Sequence, residues 1–296
     1  MIRSIKLSEI ASIFGLEFHG EDVVINGLNL CNRESEYDSI LSYVISDRFI
    51  KNVRNNIHIS VLIIKEEDKD YYTIESIGRD ISYIIAEMPE AIFYKIHEHL
   101  FKKTDFYDKY EFKSIIGQDC IISESAFIED GVIIGNRVII GHNSTIKHGS
   151  VIGDDVVIGC NSVVGSEGFQ SIRTEEGLIT VPHVGGCQIS RNTVIGDNNC
   201  VCNSLFEGYT FVGERVKTDN QVHIAHNAFI ENDVTLTAGV TLCGTVTIRE
   251  GAWIAPNTSI LNKVKIGKNA RTGLGSVVVK DVPEDTMVYG VPAKEH

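Results

Sequence analysis

The chain has 296 residues, of which 43% are hydrophobic and 26 are glycines, so it can bury a sizeable core and is long enough for two domains. Its formal net charge of −13 and the lack of any dense lysine and arginine run argue against a nucleic-acid binder, because phosphate binding needs clustered cations. The 7 cysteines are odd in number and form no Cys-x-x-Cys pair, which favours a reduced, cytoplasmic setting and predicts no metal site.

The N-terminal stretch argues against export. Residues 1–18 carry Lys6, Glu9 and Glu17 where a signal peptide needs an apolar core, so we predict no signal peptide. No apolar run reaches the ~20 residues that cross a bilayer, so we also predict no transmembrane segment.

Residues 1–111 form the first predicted domain, a small mixed α/β unit without a short repeat. Apolar runs at 23–25 and 61–64 predict strands. Residues 80–101 follow a helical pattern that Pro89 can break in two.

Residues 112–280 form the second predicted domain and carry an aliphatic residue at every sixth position. A strict period of six fits neither a helix, with a period of about 3.6, nor a single long strand, with a period of 2. It does fit short strands joined by tight corners, three of which close one 18-residue coil, and stacked coils place residues 18 apart at a spacing of ~4.8 Å. The first unbroken run consists of Ile116, Ile122, Ile128, Ile134, Ile140, Ile146, Ile152, Ile158 and Val164.

The hexapeptide pattern resembles that of left-handed coils, a hand that the usual right-handed crossover rule does not predict. The expected fold class is therefore mainly β, a left-handed parallel β-helix preceded by a small α/β domain. Residues 281–296 are expected to form a short tail.

Two stretches break the period. The larger, residues 166–186, contains Pro182 and several glycines and is predicted to be a loop inserted between coils. Loops of this length on a rigid scaffold often reach over a functional site. The smaller break, residues 203–211, is either a second excursion or a bulge.

Three stretches carry a family resemblance. They read Ser-Ile-Lys-Leu-Ser-Glu-Ile-Ala at 4–11, Val-Gly-Ser-Glu-Gly-Phe at 164–169, and Thr-Asp-Asn-Gln-Val-His-Ile-Ala-His-Asn at 218–227. Together they resemble the UDP-3-O-acylglucosamine N-acyltransferase family of hexapeptide-repeat acyltransferases. That family adds the second acyl chain to the glucosamine precursor of lipid A, the anchor of lipopolysaccharide, and the resemblance extends over nearly the whole chain.

The resemblance implies that His226 is the catalytic general base. Acyl transfer from a thioester to an amine needs a base for the amine's proton and donors for the oxyanion, and histidine titrates in the right range. Because Gly244 follows His226 by 18 residues, it should lie one coil above it. The resemblance implies that the Gly244 N–H faces the oxyanion; on spacing alone, Gly244 is equally an ordinary corner glycine.

Further candidates lie close to His226 in sequence. Asp219 orients a histidine, contacts the sugar or serves only as a turn residue, and the same alternatives apply to Asn227. His223 stands where the family usually has glutamine, and is either a neighbour that tunes His226 or an idle surface group. The resemblance makes Phe169, Asn227 and His223 candidate substrate contacts.

In the first domain, residues 41–49 align with the uridine-binding stretch of the resembled family. Tyr43 and Phe49 match its two aromatic residues, whose flat rings can sandwich a pyrimidine. Ser46 replaces the family's asparagine, which leaves the selection of uracil open. The alternative is that Tyr43 and Phe49 are two core aromatics.

Departures from the family leave the acceptor open. Residues 202–203, Cys-Asn, replace an Asp-Arg pair, and Lys263 stands where a second functional histidine is expected. His142 and His148 fall on adjacent faces of one coil, too far apart to share a metal, which weakens a zinc site of the kind found in β-helix carbonic anhydrases.

Three functions remain. The first is an N-acyltransferase that moves an acyl group from acyl carrier protein to a nucleotide-linked amino sugar. The second is an acetyl-coenzyme A N-acetyltransferase of a UDP- or dTDP-amino sugar for surface polysaccharide, and the third is a non-catalytic binding module. In the first two the donor is a phosphopantetheine thioester and no cofactor is bound. The resemblance further implies a homotrimer whose active sites lie between neighbouring prisms.

Overall fold

The computed structural model describes residues 3–33 and 35–295, which divide into two compact units. Unit 1 contains the residues up to Lys109 together with Gln170–Pro182, and unit 2 contains Tyr110–Phe169 and the chain from His183 onwards. The first boundary lies close to the predicted residue 111, whereas Gln170–Pro182 was predicted as part of the second domain. Within the described ranges, no helix is both long and apolar enough to cross a membrane.

Unit 1 is built on a five-stranded sheet. Its outermost pair is antiparallel and the other neighbours are parallel. In spatial order the strands are Phe18–His19, Ser82–Ile85, Ile59–Ile64, Ile40–Tyr43 and Gly27–Leu28. Strands Ile5–Lys6 and Val24–Ile25 form a separate antiparallel pair.

The helices of unit 1 lie between these strands. The α-helices are Leu7–Phe14, Ile50–Asn55, Ile74–Ile77 and Pro89–Lys103, and the 3-10 helices are Asp47–Phe49 and Glu66–Tyr71. The prediction of a helix from residue 80 was wrong for Ser82–Ile85, a strand whose side chains alternate between buried and half-buried. The helix begins only at Pro89, because proline suits the first helical turn, where no N–H partner is needed.

The predicted insertion contains an antiparallel hairpin, Ser171–Thr174 with Gly177–Thr180, and it packs in unit 1 against helix Pro89–Lys103. His97 of this helix is fully buried. Its Nε2 lies 2.9 Å from the carbonyl oxygen of Pro182 and its Nδ1 lies 2.7 Å from the hydroxyl of Tyr107. Burial lowers the pKa of His97 to about 4, because it disfavours the charged imidazolium.

Unit 2 is a prism of three parallel sheets, which we call faces 1, 2 and 3. Face 1 contains Ile115–Ile116, Ile133–Ile134, Ser150–Ile152, Gly186–Ile189, Tyr209–Val212, Phe229–Ile230, Thr247–Ile248 and Lys265–Ile266. Face 2 contains Ile121–Ile122, Ile139–Ile140, Val157–Ile158, Val194–Ile195, Lys217–Thr218, Thr235–Leu236, Trp253–Ile254, Arg271–Thr272, Met287–Gly290 and Ala293–Glu295. Face 3 contains Phe127–Ile128, Thr145–Ile146, Val163–Ser166, Cys200–Cys202, His223–Ile224, Thr241–Leu242, Ser259–Ile260 and Val277–Val278.

The register of the sheets follows the six-residue period. Ile134 pairs with Ile152, 18 residues later in the sequence, and the aliphatic residues of the repeat form one buried core. The two predicted interruptions enlarge the spacing, since Ile152 pairs with Ile189 and Ile189 with Val212. The chain then returns to steps of 18, as Val212 pairs with Ile230.

The smaller interruption is an excursion rather than a bulge. It adds 5 residues to the 18 of a coil, because Ile189 and Val212 are 23 positions apart. The excursion buries Leu205 and Phe206, each 2% exposed. The predicted short tail also has structure, since Met287–Gly290 extends face 2 beside Arg271–Thr272.

Candidate active site

His226 lies at a corner of the prism, between strand His223–Ile224 of face 3 and strand Phe229–Ile230 of face 1. The next residue, Asn227, has φ of 58°, in the left-handed region. Asparagine enters this region more readily than most residues, and the chain uses it to turn the corner. The side chains of His226 and Asn227 are both partly exposed.

Gly244 lies directly against the imidazole of His226 in the next coil. A Cβ atom on Gly244 would be 2.6 Å from both Cε1 and Nε2 of the ring, so any other residue would displace the imidazole. The backbone beside them is fixed, because the Thr245 N–H donates to the His226 carbonyl at 2.9 Å. Among the described residues, no atom accepts a hydrogen bond from the Gly244 N–H, which therefore remains available.

Asn227 determines which nitrogen of His226 carries the proton. Its Oδ1 accepts the Leu205 N–H at 3.1 Å and lies 3.0 Å from His226 Nδ1, while its Nδ2 donates to Ser204 Oγ. Because a backbone N–H can only donate, the atom it meets must be the amide oxygen, and Nδ1 must be protonated to donate to that same oxygen. The Nε2 atom beside Gly244 is then left with a lone pair.

His183 is a second histidine at this corner that the sequence analysis missed. Its ring centroid lies 5.2 Å from that of His226, and its N–H donates to Glu167 Oε1 at 3.4 Å. A Cβ atom on Gly168 would lie 2.5 Å from His183 Nε2, so this glycine permits the approach. His183 falls in a break of the period, where coil arithmetic cannot place a residue.

The smaller excursion also contributes to the corner. Ser204 and Leu205 hold Asn227, as described above, and Asn203 precedes them. The Asn203 side chain is buried, and its Oδ1 has no hydrogen-bond partner in the part of the chain that the structure describes. An unsatisfied buried oxygen is costly, which makes Asn203 a polar group available to a ligand.

The other predicted residues lie at various distances from His226. Asp219 occupies the corner before strand His223–Ile224, and its Oδ1 accepts the Asn220 N–H at 2.8 Å, as a turn residue does. Phe169 is 79% exposed. Lys263 is one coil beyond Gly244, where its N–H donates to the Gly244 carbonyl at 3.1 Å and its side chain is exposed.

His223 is surrounded by groups that the sequence analysis did not connect with it. It pairs in register with Cys200 of the preceding coil, and the ligand atoms of Cys200, Cys202 and His223 all lie within 4.8 Å of one another. Hydrogen bonds from Cys202 and then His223 lower the pKa of the Cys200 thiol to about 4, and the hydrogen bond to Cys200 raises the pKa of Cys202. The spacing from 200 to 223 includes the extra residues of the excursion, which concealed this proximity.

In unit 1, the predicted base-binding residues have neighbours of their own. The Tyr43 ring packs on Phe93 at 4.9 Å, and its hydroxyl donates to Glu90 Oε1 at 2.9 Å. The Phe49 ring is half-buried against the core, with the Arg48 guanidinium 4.8 Å from its centroid.

The third predicted residue, Ser46, has a buried hydroxyl with no hydrogen-bond partner among the described residues, and its carbonyl accepts the Tyr72 hydroxyl at 2.6 Å. A separate polar cleft of about 420 Å³ opens elsewhere in unit 1. It is lined by Cys31, Asn32, Arg33, Ser35, Asn52, Asn55, Asn56, Ile57 and His58.

The coils and corners of unit 2 match a known family. The family described as "Bacterial transferase hexapeptide (six repeats)" matches residues 113–148 and 131–166. The chain is a hexapeptide-repeat protein. The expected fold class, a left-handed parallel β-helix preceded by a small α/β domain, is confirmed by the three parallel sheets and by similarity to solved structures.

Two solved structures resemble this hexapeptide-repeat protein in fold. A UDP-N-acetylglucosamine acyltransferase from Bacteroides fragilis has a TM-score of 0.56 at 24% identity, over 64% of this chain and 71% of its own. A UDP-N-acetylglucosamine acyltransferase from Campylobacter jejuni has a TM-score of 0.55 at 23% identity, over 62% and 69%.

The curated relatives are similar over shorter stretches. A UDP-3-O-acylglucosamine N-acyltransferase from Caulobacter sp. is 30% identical over 130 residues, which is 44% of this chain and 38% of the relative. A serine acetyltransferase from Buchnera aphidicola is 40% identical over 95 residues, which is 28% of this chain and 35% of the relative. The hexapeptide-repeat protein thus spans less than two fifths of the relatives that it matches.

Proposed function

We propose that the protein is an N-acyltransferase that moves an acyl group from a phosphopantetheine thioester to the amino group of a nucleotide-linked amino sugar. The observation that carries this proposal is the pairing of His226 Nε2 with Gly244 across two coils. It sets a proton acceptor beside a free backbone N–H, which are the two groups that aminolysis of a thioester requires.

In the proposed reaction the sugar amine attacks the thioester carbonyl carbon, and His226 Nε2 accepts the amine proton. The negative charge that develops on the carbonyl oxygen accepts a hydrogen bond from the Gly244 N–H. When the tetrahedral intermediate collapses, the carbon–sulfur bond breaks and the imidazolium returns its proton to the leaving thiolate. Asn227 is a positioning residue, because its amide oxygen keeps the proton of the neutral imidazole on Nδ1.

We assign nucleotide binding to unit 1, through Tyr43 and Phe49, with Ser46 near the base. The buried Ser46 hydroxyl supports this assignment, because it lacks a partner among the described residues and a base edge could provide one. Phe169, His223 and Lys263 are proposed contacts of the sugar or donor. Asp219 is proposed to support the corner before His223 rather than the chemistry, because its carboxylate is already engaged.

The donor is either acyl carrier protein, as the relation to the Caulobacter enzyme suggests, or acetyl-coenzyme A. The 40% identity to a serine acetyltransferase over 95 residues favours the second. A non-catalytic binding module would have no use for a glycine that clears space for an imidazole. A screen of acyl-carrier-protein and acyl-coenzyme A donors against UDP- and dTDP-amino sugars, analysed by mass spectrometry, tests the proposal. Failure of every donor with every acceptor would reject it.

We further propose that the protein assembles as a homotrimer, in keeping with closed symmetry of side-by-side prisms. Phe211 and Phe229 support an interface near His226, since their stacked rings, 5.0 Å apart, form an exposed apolar surface on face 1. Sedimentation should give three times the chain mass, and a stable monomer at micromolar concentration would count against the assembly.

A further inference from the structure

Three metal-binding side chains converge on face 3. Cys200 and Cys202 lie two residues apart on one strand, and Val201 between them is fully buried in the core. Because side chains alternate along a strand, both sulfur atoms lie on the side away from the core. The imidazole of His223 comes from the strand directly beside Cys200.

We propose that Cys200, Cys202 and His223 bind one zinc ion. Their ligand atoms already lie within 4.8 Å of one another. Around a tetrahedral zinc ion with bonds of about 2.0–2.3 Å, neighbouring donors are about 3.5–3.8 Å apart, so a small rotation of each side chain suffices. Two thiolates and an imidazole are donors that suit zinc and not magnesium or calcium.

A disulfide explains the pair of cysteines less well. Residues two apart on a strand are separated by about 6.6 Å between Cα atoms, at the upper end of the range of about 4.4–6.8 Å that a disulfide bridges. Cys200 and Cys202 are both free thiols in the structure. The imidazole of His223 would also have no part in a disulfide, whereas it completes a three-donor metal site.

The surroundings suit a bound ion. The Cys200 sulfur is within hydrogen-bonding distance of the Ser166 side chain as well as of Cys202 and His223, and such outer hydrogen bonds hold metal ligands in place. Cys202 is 4% exposed, whereas Cys200 and His223 are partly exposed and leave an approach for the ion. Three protein ligands leave the fourth position to water or to a ligand atom.

Cobalt(II) is a direct probe, because thiolate ligation gives a charge-transfer absorption band that zinc does not have. Titration of the reduced, metal-free protein should give this band with one Co²⁺ per chain, and added Zn²⁺ should remove it. Cys200→Ser and Cys202→Ser should each lose most of the band. His223→Gln should raise the Kd by at least ~10-fold. Cys160→Ser, at another partly exposed cysteine, is the matched control and should bind like the wild type.

A measurement on the wild type avoids any folding defect of the variants. Zn²⁺ should slow alkylation of Cys200 and Cys202, as followed by peptide mass spectrometry, and leave Cys160 unaffected. His226→Ala should bind Co²⁺ normally, which separates this site from the proposed acyl transfer. The proposal is overturned if no thiolate band forms at millimolar Co²⁺, if the band survives in Cys200→Ser, or if Zn²⁺ leaves the alkylation of both cysteines unchanged.

Discussion

The imidazole of His226 occupies the space that a side chain on Gly244 would need, with only 2.6 Å between Nε2 and the position of a Cβ atom. Gly244→Ala should therefore displace the ring and lower kcat by at least ~10-fold without unfolding the prism. If the methyl group acts only through the ring, adding it to His226→Ala should cost nothing further, which a double-mutant cycle measures. Additive losses would contradict this relationship.

Removal of the base should act on the chemical step. His226→Ala should lower kcat by about 100- to 10,000-fold, while binding of the nucleotide sugar survives because it does not involve the proton transfer. In the wild type, kcat/KM should rise with pH as the imidazole loses its proton, and the variant should lack this rise. A folded variant that keeps a tenth of the kcat would require another base, with His223 and His183 to be tested next.

Asn227→Asp should shift the pH dependence. The substitution keeps an oxygen beside His226 Nδ1, and aspartate also tolerates the left-handed backbone of this corner. A carboxylate stabilises the imidazolium, so the pKa of His226 should rise and the increase of kcat/KM should move to higher pH. Asn227→Ala, which adds no charge, is the control and should lower kcat without this shift. An unchanged profile in Asn227→Asp would separate Asn227 from the base.

Truncation of the two aromatics tests nucleotide binding in unit 1. Tyr43→Ala and Phe49→Ala should each remove about 1 kcal/mol of stacking, which corresponds to a roughly 5-fold higher KM for the nucleotide sugar at similar kcat. Both rings also have core neighbours, so thermal unfolding must be measured in parallel. An unchanged KM would make these residues part of the core alone.

His97 should make the stability of unit 1 depend on pH. Its pKa is about 4 in the folded chain, against a model value of 6.5, so the unfolded chain binds more protons between these values. Stability should fall as the pH drops from about 6.5 to about 4, by up to roughly 3 kcal/mol. His97→Gln should remove this slope, and His99→Gln on the same helix should keep it. Denaturant unfolding at several pH values measures both, and an equal slope in His97→Gln would exclude His97.

Much of the prism could be predicted because every coil repeats the same spacing. The period that predicted the pairing of Ile134 with Ile152 also predicts Gly244 above His226. His183 and Ser204 could not be found in this way, because they lie in interruptions whose lengths follow no period. The proximity of Cys200 to His223 was hidden for the same reason, since 23 residues separate them rather than 18.

In unit 1, the strand Ser82–Ile85 was mistaken for the beginning of a helix. Four residues are too few to separate a period of 2 from one of 3.6 when a true helix follows almost directly. The roles of Tyr43 and Phe49 rest on family resemblance, because an aromatic side chain serves a core and a base-binding site equally well in sequence.

The excursion at residues 203–208 separates the scaffold from its chemistry. Ser204 and Leu205 hold Asn227 from outside the repeat, so the orientation of His226 depends on residues that no coil requires for stacking. Coils of this kind contact mainly their nearest neighbours, and one more or one fewer changes the length of the column but not its plan. New specificities could therefore evolve by redrawing the excursion while the hydrophobic ladder beneath it stays as it is.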